Sequence, residues 1–350
     1  MPERRLEQGA RSKLSRVLLG VSRYDYGRPE WGDSFEYVNF VGPLQRLGHE
    51  VRVFDTLETR RRHDPAVARS ELLASVREFE PDLLLCILSS DELPPEAIRD
   101  AGLYTTTANW FPDDAWRFNS FSRRVAPAFQ WALTTSRTAE RAYAALGVHA
   151  LFLPWACNTD VFYPRGGIKQ HDVSFVGQRH GNRGGTTEKL RADGLDVYAR
   201  GAGWPGGRVG WSEMADIFAG TRVNLNLIES SAGPLVRRGW RFRGAYRMDR
   251  ALLPLFPPPA QMKARIFEIA GCGAFCITGP FDEVSECFVP GSEVAVAADY
   301  GELRDSIKYY LDNDAERERL AAAALARCLQ QHTYERRFTT LFQHLQLANS

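Results

Sequence analysis

One short segment of this 350-residue chain carries two cations and a carboxylate at close spacing, Lys263, Arg265 and Glu268. A short helix is predicted here by the helical spacing of Lys263, Ile266, Phe267 and Ala270. The glycines at 271 and 273 end it, Gly271 suits a left-handed terminal residue, and a buried strand follows at 274–278. At the carboxyl edge of a parallel sheet, Glu268 would accept hydrogen bonds from ribose hydroxyls and the cations would bind phosphates. The alternative is that both cations are merely exposed and that Glu268 caps a neighbouring loop.

Loops after three other predicted strands supply further candidates for the same ligand. Gly177 and Arg183 lie in one loop, where backbone N–H groups and an arginine can hold a diphosphate. Gly203 allows close backbone approach, and Trp204 would shape a nucleotide pocket. Asn226 ends a third strand and would orient the loops around it. A solvated turn, a tryptophan packed on the core and an asparagine that only caps backbone remain alternatives.

Carboxylates follow two strands of the first half of the chain and are candidate catalytic bases. Asp113 and Asp114 follow the fourth predicted strand beside Trp110, and Asp25 lies in the loop after the first. A carboxylate at a strand end can deprotonate an acceptor hydroxyl, and an aromatic neighbour can bind the acceptor. The competing interpretation is that Asp113 or Asp114 caps the following helix.

An arginine-rich segment at 229–261 interrupts the second half of the chain. Its arginines alternate with aromatic residues, and Arg241 and Arg243 are candidates for binding an acidic, phosphorylated or nucleic-acid acceptor. A solvated surface or a dimer contact is the alternative. A loop of this length inside a domain is usually functional or disordered.

The elements that position these residues form two successive β/α alternations. Helices separate predicted strands at 17–21, 51–54, 83–88, 103–108, 131–135 and 148–153, then at 172–177, 195–198, 223–227, 275–278 and 294–297. A capping box at Asp33–Glu36 predicts the start of the first helix. Strands of this kind predict parallel sheets covered on both faces, hence two Rossmann-like halves. The proline-bounded segment 153–164 would join them.

Composition excludes several classes of protein. The formal net charge is +1, with 44% hydrophobic and 25% charged residues, which is ordinary for a globular protein. No apolar run approaches the roughly 20 residues needed to span a bilayer, and no apolar signal core begins the chain. The six cysteines form no CxxC pair, and the seven histidines lack metal-ligand spacing. We therefore expect a cytoplasmic protein with reduced cysteines and no bound metal.

The segment from Lys263 to Thr278 resembles the nucleotide-sugar-binding motif of GT-B glycosyltransferases, especially the spore-maturation, CgeB-like group. The resemblance extends over about residues 15–340 and includes the motifs around Gly177, Gly203 and Asn226. It implies an α/β GT-B fold, two Rossmann-like domains whose parallel sheets face each other across a cleft. The expected domains are 1–158 on the acceptor side and 159–333 on the donor side, with a C-terminal helix at 334–350 that packs back on the first.

The same resemblance implies a metal-independent hexosyl- or pentosyltransferase that needs no cofactor beyond its nucleotide-sugar substrate. The acceptor would be a glycan, a small molecule or a modified nucleic acid. One departure is Ala260, which stands where many retaining GT-B enzymes carry a second glutamate. Two other functions stay open. A nucleotide-sugar epimerase would act on the donor alone, and a nucleic-acid-binding or regulatory protein would use the arginine-rich segment.

Overall fold

The computed structural model describes residues 15–62, 64–228 and 260–347. Within these residues the chain forms two compact units. The first contains residues up to Cys86, Leu93–Ala108 and the segment from Glu335 onward, and the second contains Ile87–Glu92 and Asn109–Tyr334. The domain boundaries predicted after residues 158 and 333 stay predictions. Arg241 and Arg243, predicted to bind an acceptor, lie outside the described residues.

A six-stranded sheet is built from the first half of the chain. Its strand order is β2-β1-β3-β4-β5-β6, and its strands are β1 (Arg16–Val21), β2 (Glu50–Asp55), β3 (Leu83–Cys86), β4 (Thr106–Phe111), β5 (Trp131–Thr134) and β6 (His149–Phe152). Val17 pairs in parallel with both Val51 and Leu83. Residues 17–19 and 83–85 are fully buried. Strands with this composition require cover on both faces, which the connecting helices provide.

The helices of this half are α1 (Phe35–Arg46), α2 (Thr56–Arg62), α3 (Pro65–Phe79), α4 (Pro95–Ala101), α5 (Asp114–Arg117), α6 (Arg123–Val125) and α7 (Arg137–Ala145). Short 3-10 turns lie at Asp25–Gly27, Pro29–Trp31 and Ala126–Ala128, and a π-helical turn at Phe118–Ser122. None of the helices in the described part of the chain is long and apolar enough to cross a bilayer.

A five-stranded sheet is built from the second half. Its strand order is β11-β10-β9-β7-β8, and its strands are β7 (His171–Val176), β8 (Val197–Arg200), β9 (Thr221–Asn226), β10 (Cys276–Thr278) and β11 (Ala295–Val296). Val173 pairs in parallel with both Val197 and Val223. The helices are α8 (Arg183–Ala192), α9 (Trp211–Ala219), α10 (Arg265–Gly271), α11 (Val284–Cys287), α12 (Tyr300–Asp312), α13 (Asp314–Gln331) and α14 (Tyr334–His344). The predicted fold class, two parallel α/β sheets, is confirmed.

The last helix packs on the first helix of the same compact unit. The Phe338 ring meets Phe40 edge-on, with centroids 5.2 Å apart, and Phe342 stacks on His49 at 4.1 Å. Arg46 Nε donates to Glu335 at 2.9 Å. Aromatic burial of this kind stabilises the helix far more than the exposed ion pair does.

Three local predictions were wrong. The strand predicted at 103–108 lies at Thr106–Phe111, because residues 102–105 form the turn that ends α4 and Leu103 is 78% exposed. The first helix is capped by Ser34, whose Oγ accepts from Tyr37 N at 3.0 Å, whereas the capping box had placed its start at Asp33.

The conformation predicted for Gly271 is the third of these. Gly271 is the last residue of α10, as predicted, but the left-handed residue that follows the helix is Gly273, with a φ of +65°. A Cβ at position 271 would come within 2.2 Å of Cys157 Sγ, so the glycine there permits close packing of the helix on residue 157.

Candidate active site

The end of β7 brings Gly177 against a guanidinium. A Cβ at this position would lie 2.5 Å from Arg265 Nη2, so only a glycine leaves room for that side chain. Trp204 Nε1 donates to the Gly177 carbonyl oxygen at 2.8 Å. Trp204 is 5% exposed and belongs to the core cluster of the second sheet. Its first role is thus to fix this loop, which is the alternative that the sequence left open.

Gly203, beside Trp204, lines an open depression. The depression has a volume of about 400 Å³, and its other lining residues are Arg179, Glu188, Arg191, Trp204 and Pro205. The Arg179 guanidinium lies over the Trp204 ring, 5.4 Å from its centroid. Arg179 also pairs with Glu188, so the depression is lined by charged side chains of both signs and suits a polar ligand.

Arg183 is the first residue of α8 and is 2% exposed. Its guanidinium donates to the carbonyl oxygens of Gln178 at 3.1 Å and Leu227 at 2.9 Å, and so joins the loop after β7 to the end of β9. Its Nη1 lies 2.8 Å from His180 Nε2. The charge of Arg183 is therefore fixed at the carboxyl edge of the sheet, and its hydrogen bonds have a structural role. Its role in binding a donor stays a prediction.

His180 was not identified from the sequence, where its only signal is its place in the loop after β7. Burial, with the positive charges of Arg183, Lys263 and Arg265 acting in the same direction, lowers its pKa to about 4. Three predicted donor-site cations therefore act on one imidazole. A place at which three positive charges converge favours an anion.

Arg265 begins α10 and is held by Asn226. Its Nη1 donates to Asn226 Oδ1 at 3.4 Å, and its guanidinium lies over the Phe175 ring at 5.1 Å. Asn226 is fully buried, and its own Nδ2 donates to Thr278 Oγ1 at 3.0 Å. Arg265 Nε is buried and has no hydrogen-bond partner among residues 15–62, 64–228 and 260–347. A buried donor without a partner is uncommon in folded proteins and marks Arg265 as a residue that packing alone does not explain.

Glu268 lies on α10, one turn after Arg265, and is 5% exposed. Burial raises its pKa to about 7, and the charge of Arg265 offsets only part of that shift. A carboxyl group kept in such surroundings gains from hydroxyl donors that a ligand brings. Its position on the helix agrees with the predicted ribose contact, which stays a prediction.

Lys263 lies two residues before α10, so the predicted helix began too early. Its Nζ donates to Gln261 Oε1 at 2.6 Å. Burial lowers its pKa to about 8, Arg183 and Arg265 act in the same direction, and Asp113 opposes them. A fraction of this lysine is therefore neutral near pH 8 when no anion is bound.

Asp113 is brought to this group by Gln261, a residue that the sequence did not single out. Gln261 Nε2 donates to Asp113 Oδ1 at 2.8 Å and to the Pro112 carbonyl oxygen at 2.7 Å. Asp113 occupies the cap position of α5 without making a side-chain capping bond. The side-chain amide of Gln261 thus makes hydrogen bonds with both Asp113, the predicted base, and Lys263, the predicted donor-site cation.

Asp114 has different surroundings from its neighbour. It is 3% exposed, and its carboxylate accepts from Thr134 Oγ1 at 2.6 Å and from the Tyr143 hydroxyl at 3.0 Å. Burial raises its pKa to about 6. These bonds fasten α5 to β5 and α7, which is a structural role. Trp110 is fully buried and stacks on Trp155, with centroids 5.6 Å apart, so the prediction that it contacts an acceptor is corrected.

Asp25 belongs to the first compact unit and lies in the 3-10 turn after β1. Its backbone N donates to the Gly32 carbonyl oxygen at 2.9 Å. Its role as a base stays a prediction. Within the described ranges, no three or more His, Cys, Asp and Glu side chains group together in a way that could hold a metal ion.

Comparison with known proteins agrees with this architecture. Residues 183–343 match the family model described as glycosyl transferase-like. Curated protein sequences gave no match. The structure is similar to sucrose-phosphate synthase from Thermosynechococcus elongatus (12% identity, 96% of this chain and 100% of that chain covered, TM-score 0.64). It is also similar to HepE from Anabaena in complex with UDP-glucose (10%, 95% and 99%, TM-score 0.61).

A glycosyltransferase from Rickettsia africae is a further neighbour (10% identity, 97% of this chain and 100% of that chain covered, TM-score 0.63). At such identities the likeness shows the fold, and the narrower CgeB-like resemblance stays a prediction. The chain therefore has the GT-B fold, and its residues 183–343, which carry Arg183, Lys263, Arg265 and Glu268, match the family model described as glycosyl transferase-like.

Proposed function

We propose that this protein is a glycosyltransferase that moves a sugar from a nucleoside-diphosphate donor to an acceptor hydroxyl. The observation that carries the proposal is the convergence of Arg183, Lys263 and Arg265 on one place, where all three act on the His180 imidazole. All three lie in the part of the chain that matches the family. A diphosphate is the leaving group of this reaction, and fixed cations stabilise the charge that develops on it.

The donor would be held by groups with distinct chemistry. Arg265 and Lys263 bind the diphosphate, while Arg183 adds charge from its buried position. Glu268 accepts from the ribose hydroxyls. The depression beside Gly203 and Trp204 takes the base. Because HepE has been crystallised with UDP-glucose, UDP-sugars are the first donor class to test.

Cationic side chains replace a divalent metal in this proposal. Three positive charges face the expected diphosphate, which is enough to compensate its charge without a coordinated ion. The sugar is a hexose or a pentose. No described residue decides between them.

Asp113 is the proposed acceptor base. It is partly exposed at the end of β4, and Gln261 links it to Lys263. Asp114 is left out of the catalytic set because its carboxylate is buried and hydrogen-bonded to Thr134 and Tyr143. Asp25 stays the alternative base.

Calorimetric titration with nucleoside diphosphates tests the donor site. Glu268→Ala and Lys263→Ala should each weaken binding by about 1–3 kcal/mol, roughly 5- to 150-fold, because each loses a charged hydrogen bond. Lys308→Ala removes an exposed lysine from α12 and serves as the matched control with unchanged affinity. Equal affinity in wild type and in both site variants, with the fold intact, would refute the assignment.

A further inference from the structure

We propose that Gln261 is a positioning residue that holds the donor-site cation Lys263 and the acceptor-side carboxylate Asp113 in fixed register. The inference rests on the proposed function, since it assigns Gln261 a role in aligning the donor-binding lysine with the base that acts on the acceptor. Its evidence is the set of three hydrogen bonds made by one buried amide, to Lys263, Asp113 and Pro112.

The chemistry of these partners fixes the orientation of the amide. A primary amide has two N–H donors and one carbonyl acceptor. Here both donors meet acceptors, Asp113 Oδ1 and the Pro112 carbonyl oxygen, and the acceptor meets the Lys263 ammonium. The reversed amide would set its NH₂ group against an ammonium and its oxygen against two oxygens. Only one of the two orientations therefore satisfies every group.

The position of Gln261 is also fixed by its surroundings. Gln261 is 3% exposed and the adjacent Met262 is 2% exposed, so water cannot readily replace the amide. Its backbone N donates to the Ile228 carbonyl oxygen at 3.3 Å, which anchors the residue at the end of β9. A buried amide on an anchored backbone can place two charged groups to within the tolerance that catalysis requires.

The charges that face Lys263 determine what Gln261 does to it. Asp113 at the start of α5 favours the ammonium, and Arg183 and Arg265 at the starts of α8 and α10 disfavour it. His180, from the loop after β7, faces the same cations and is neutral. Among these opposing charges, the Gln261 carbonyl is an uncharged acceptor that favours the protonated form of Lys263 and fixes the orientation of its ammonium group.

The test is the titration of Lys263 itself. It is measured by limited acylation of the lysine at different pH values, with mass spectrometry of the modified peptide. Gln261→Met keeps the shape of the side chain but removes the acceptor, so the midpoint should fall by about one pH unit. Gln261→Glu supplies a charged acceptor, so the midpoint should rise. The fall in Gln261→Met is the diagnostic shift, because a residue that only packs against Lys263 would leave the midpoint unchanged when its shape is kept, whereas any carboxylate there raises it.

Turnover provides the second readout. Because the Glu variant cannot donate to Asp113, both variants should lose roughly 10- to 100-fold in kcat, with the alkaline limb of kcat/KM moving in the same directions as the Lys263 midpoint. Asn313→Ala, which removes a similar amide-to-carbonyl bond at the α12–α13 junction, should change neither.

The outcomes separate the two proposals. An unchanged Lys263 midpoint in Gln261→Met overturns the positioning role, whatever the enzyme does. A midpoint that moves as expected, in a protein that binds no nucleoside diphosphate, supports the contact but refutes the proposed function. If Gln261→Met does not fold, unchanged turnover in Gln261→Glu, which cannot donate to Asp113, still overturns the positioning role.

Discussion

At the scale of single residues, the candidate site buries ionisable groups, which disfavours their charged forms. Glu268 is buried with a pKa raised to about 7, and Lys263 has a pKa lowered to about 8. Both shifts have burial as their largest cause. Groups perturbed in this way by desolvation, with a specific charged neighbour, are concentrated at functional sites. Binding of an anion with hydroxyl donors would relieve both, which is why the site and the ligand class can be argued together.

The buried carboxyl of Glu268 should cost stability at neutral pH. Its folded-state pKa of about 7 exceeds the ordinary glutamate value of 4.5, so the native state binds more protons between these pH values. Stability contributed by this group is therefore present below about pH 4.5 and is lost as pH rises to about 7. We predict that Glu268→Gln, which does not titrate, is more stable than wild type at pH 8 by about 1–3 kcal/mol.

Chemical denaturation at pH 5 and pH 8 measures this difference. The gain should shrink at pH 5, while nucleotide affinity is reduced at both pH values. Glu318→Gln, on an exposed part of α13, is the control and should follow wild type. A variant less stable than wild type at pH 8 would show that Glu268 makes a favourable native interaction stronger than its burial cost.

At the scale of elements, the two adjacent aspartates at the start of α5 have separate tasks. Asp114 joins α5 to β5 and α7 through the Thr134 and Tyr143 hydroxyls, whereas Asp113 is linked by Gln261 to the segment before α10. The turn between β4 and α5 thus directs the Asp114 carboxylate into the core and the Asp113 carboxylate towards the candidate site. Sequence could identify the pair but not the division, because adjacent side chains at a helix start point in different directions that depend on tertiary partners.

Asparagine substitution should separate these tasks. Asp113→Asn is predicted to lower turnover about 10²- to 10⁴-fold with donor affinity retained, since it removes a general base. Asp114→Asn is predicted to lower stability by about 1–3 kcal/mol, because one hydroxyl partner loses its acceptor, and to leave donor affinity unchanged. Denaturation, nucleotide titration and turnover of the two variants measure this. Near-native turnover of Asp113→Asn, with a large loss in Asp25→Asn, would instead place the base at Asp25.

At the scale of the whole molecule, most of the fold could be predicted from hydrophobic patterning and breakers. The apolar runs at 17–21 and 83–88 fit a sheet covered on both faces, and the structure has strands there at Arg16–Val21 and Leu83–Cys86. The strand at Thr106–Phe111 was displaced in the prediction because Leu103 and Tyr104 are apolar yet exposed in a turn. Residue types cannot reveal that exposure, which depends on where α4 ends.

The candidate site was less predictable than the fold. Lys263, Arg265 and Glu268 could be found because they share one short motif. His180 and Gln261 could not, because their significance arises from contacts with residues far apart in the chain, such as Asp113 with Gln261. Trp110 shows the converse: an aromatic residue near a strand end was assigned to an acceptor, but Trp155 and Tyr334 enclose it in the core.

The complete protein should transfer sugar without a divalent metal and only when an acceptor is supplied. Arg183, Lys263 and Arg265 provide the positive charge that a metal would otherwise bring to the diphosphate, so turnover should be equal with EDTA and with added Mg²⁺. Release of nucleoside diphosphate, followed against a panel of acceptors, measures both dependences. Loss of activity in EDTA with recovery in Mg²⁺ would contradict the metal-independent mechanism. If the donor is instead converted into an isomer with no acceptor present and no nucleotide released, the protein is an epimerase. An epimerase rearranges the sugar on the nucleotide and does not transfer it to another molecule.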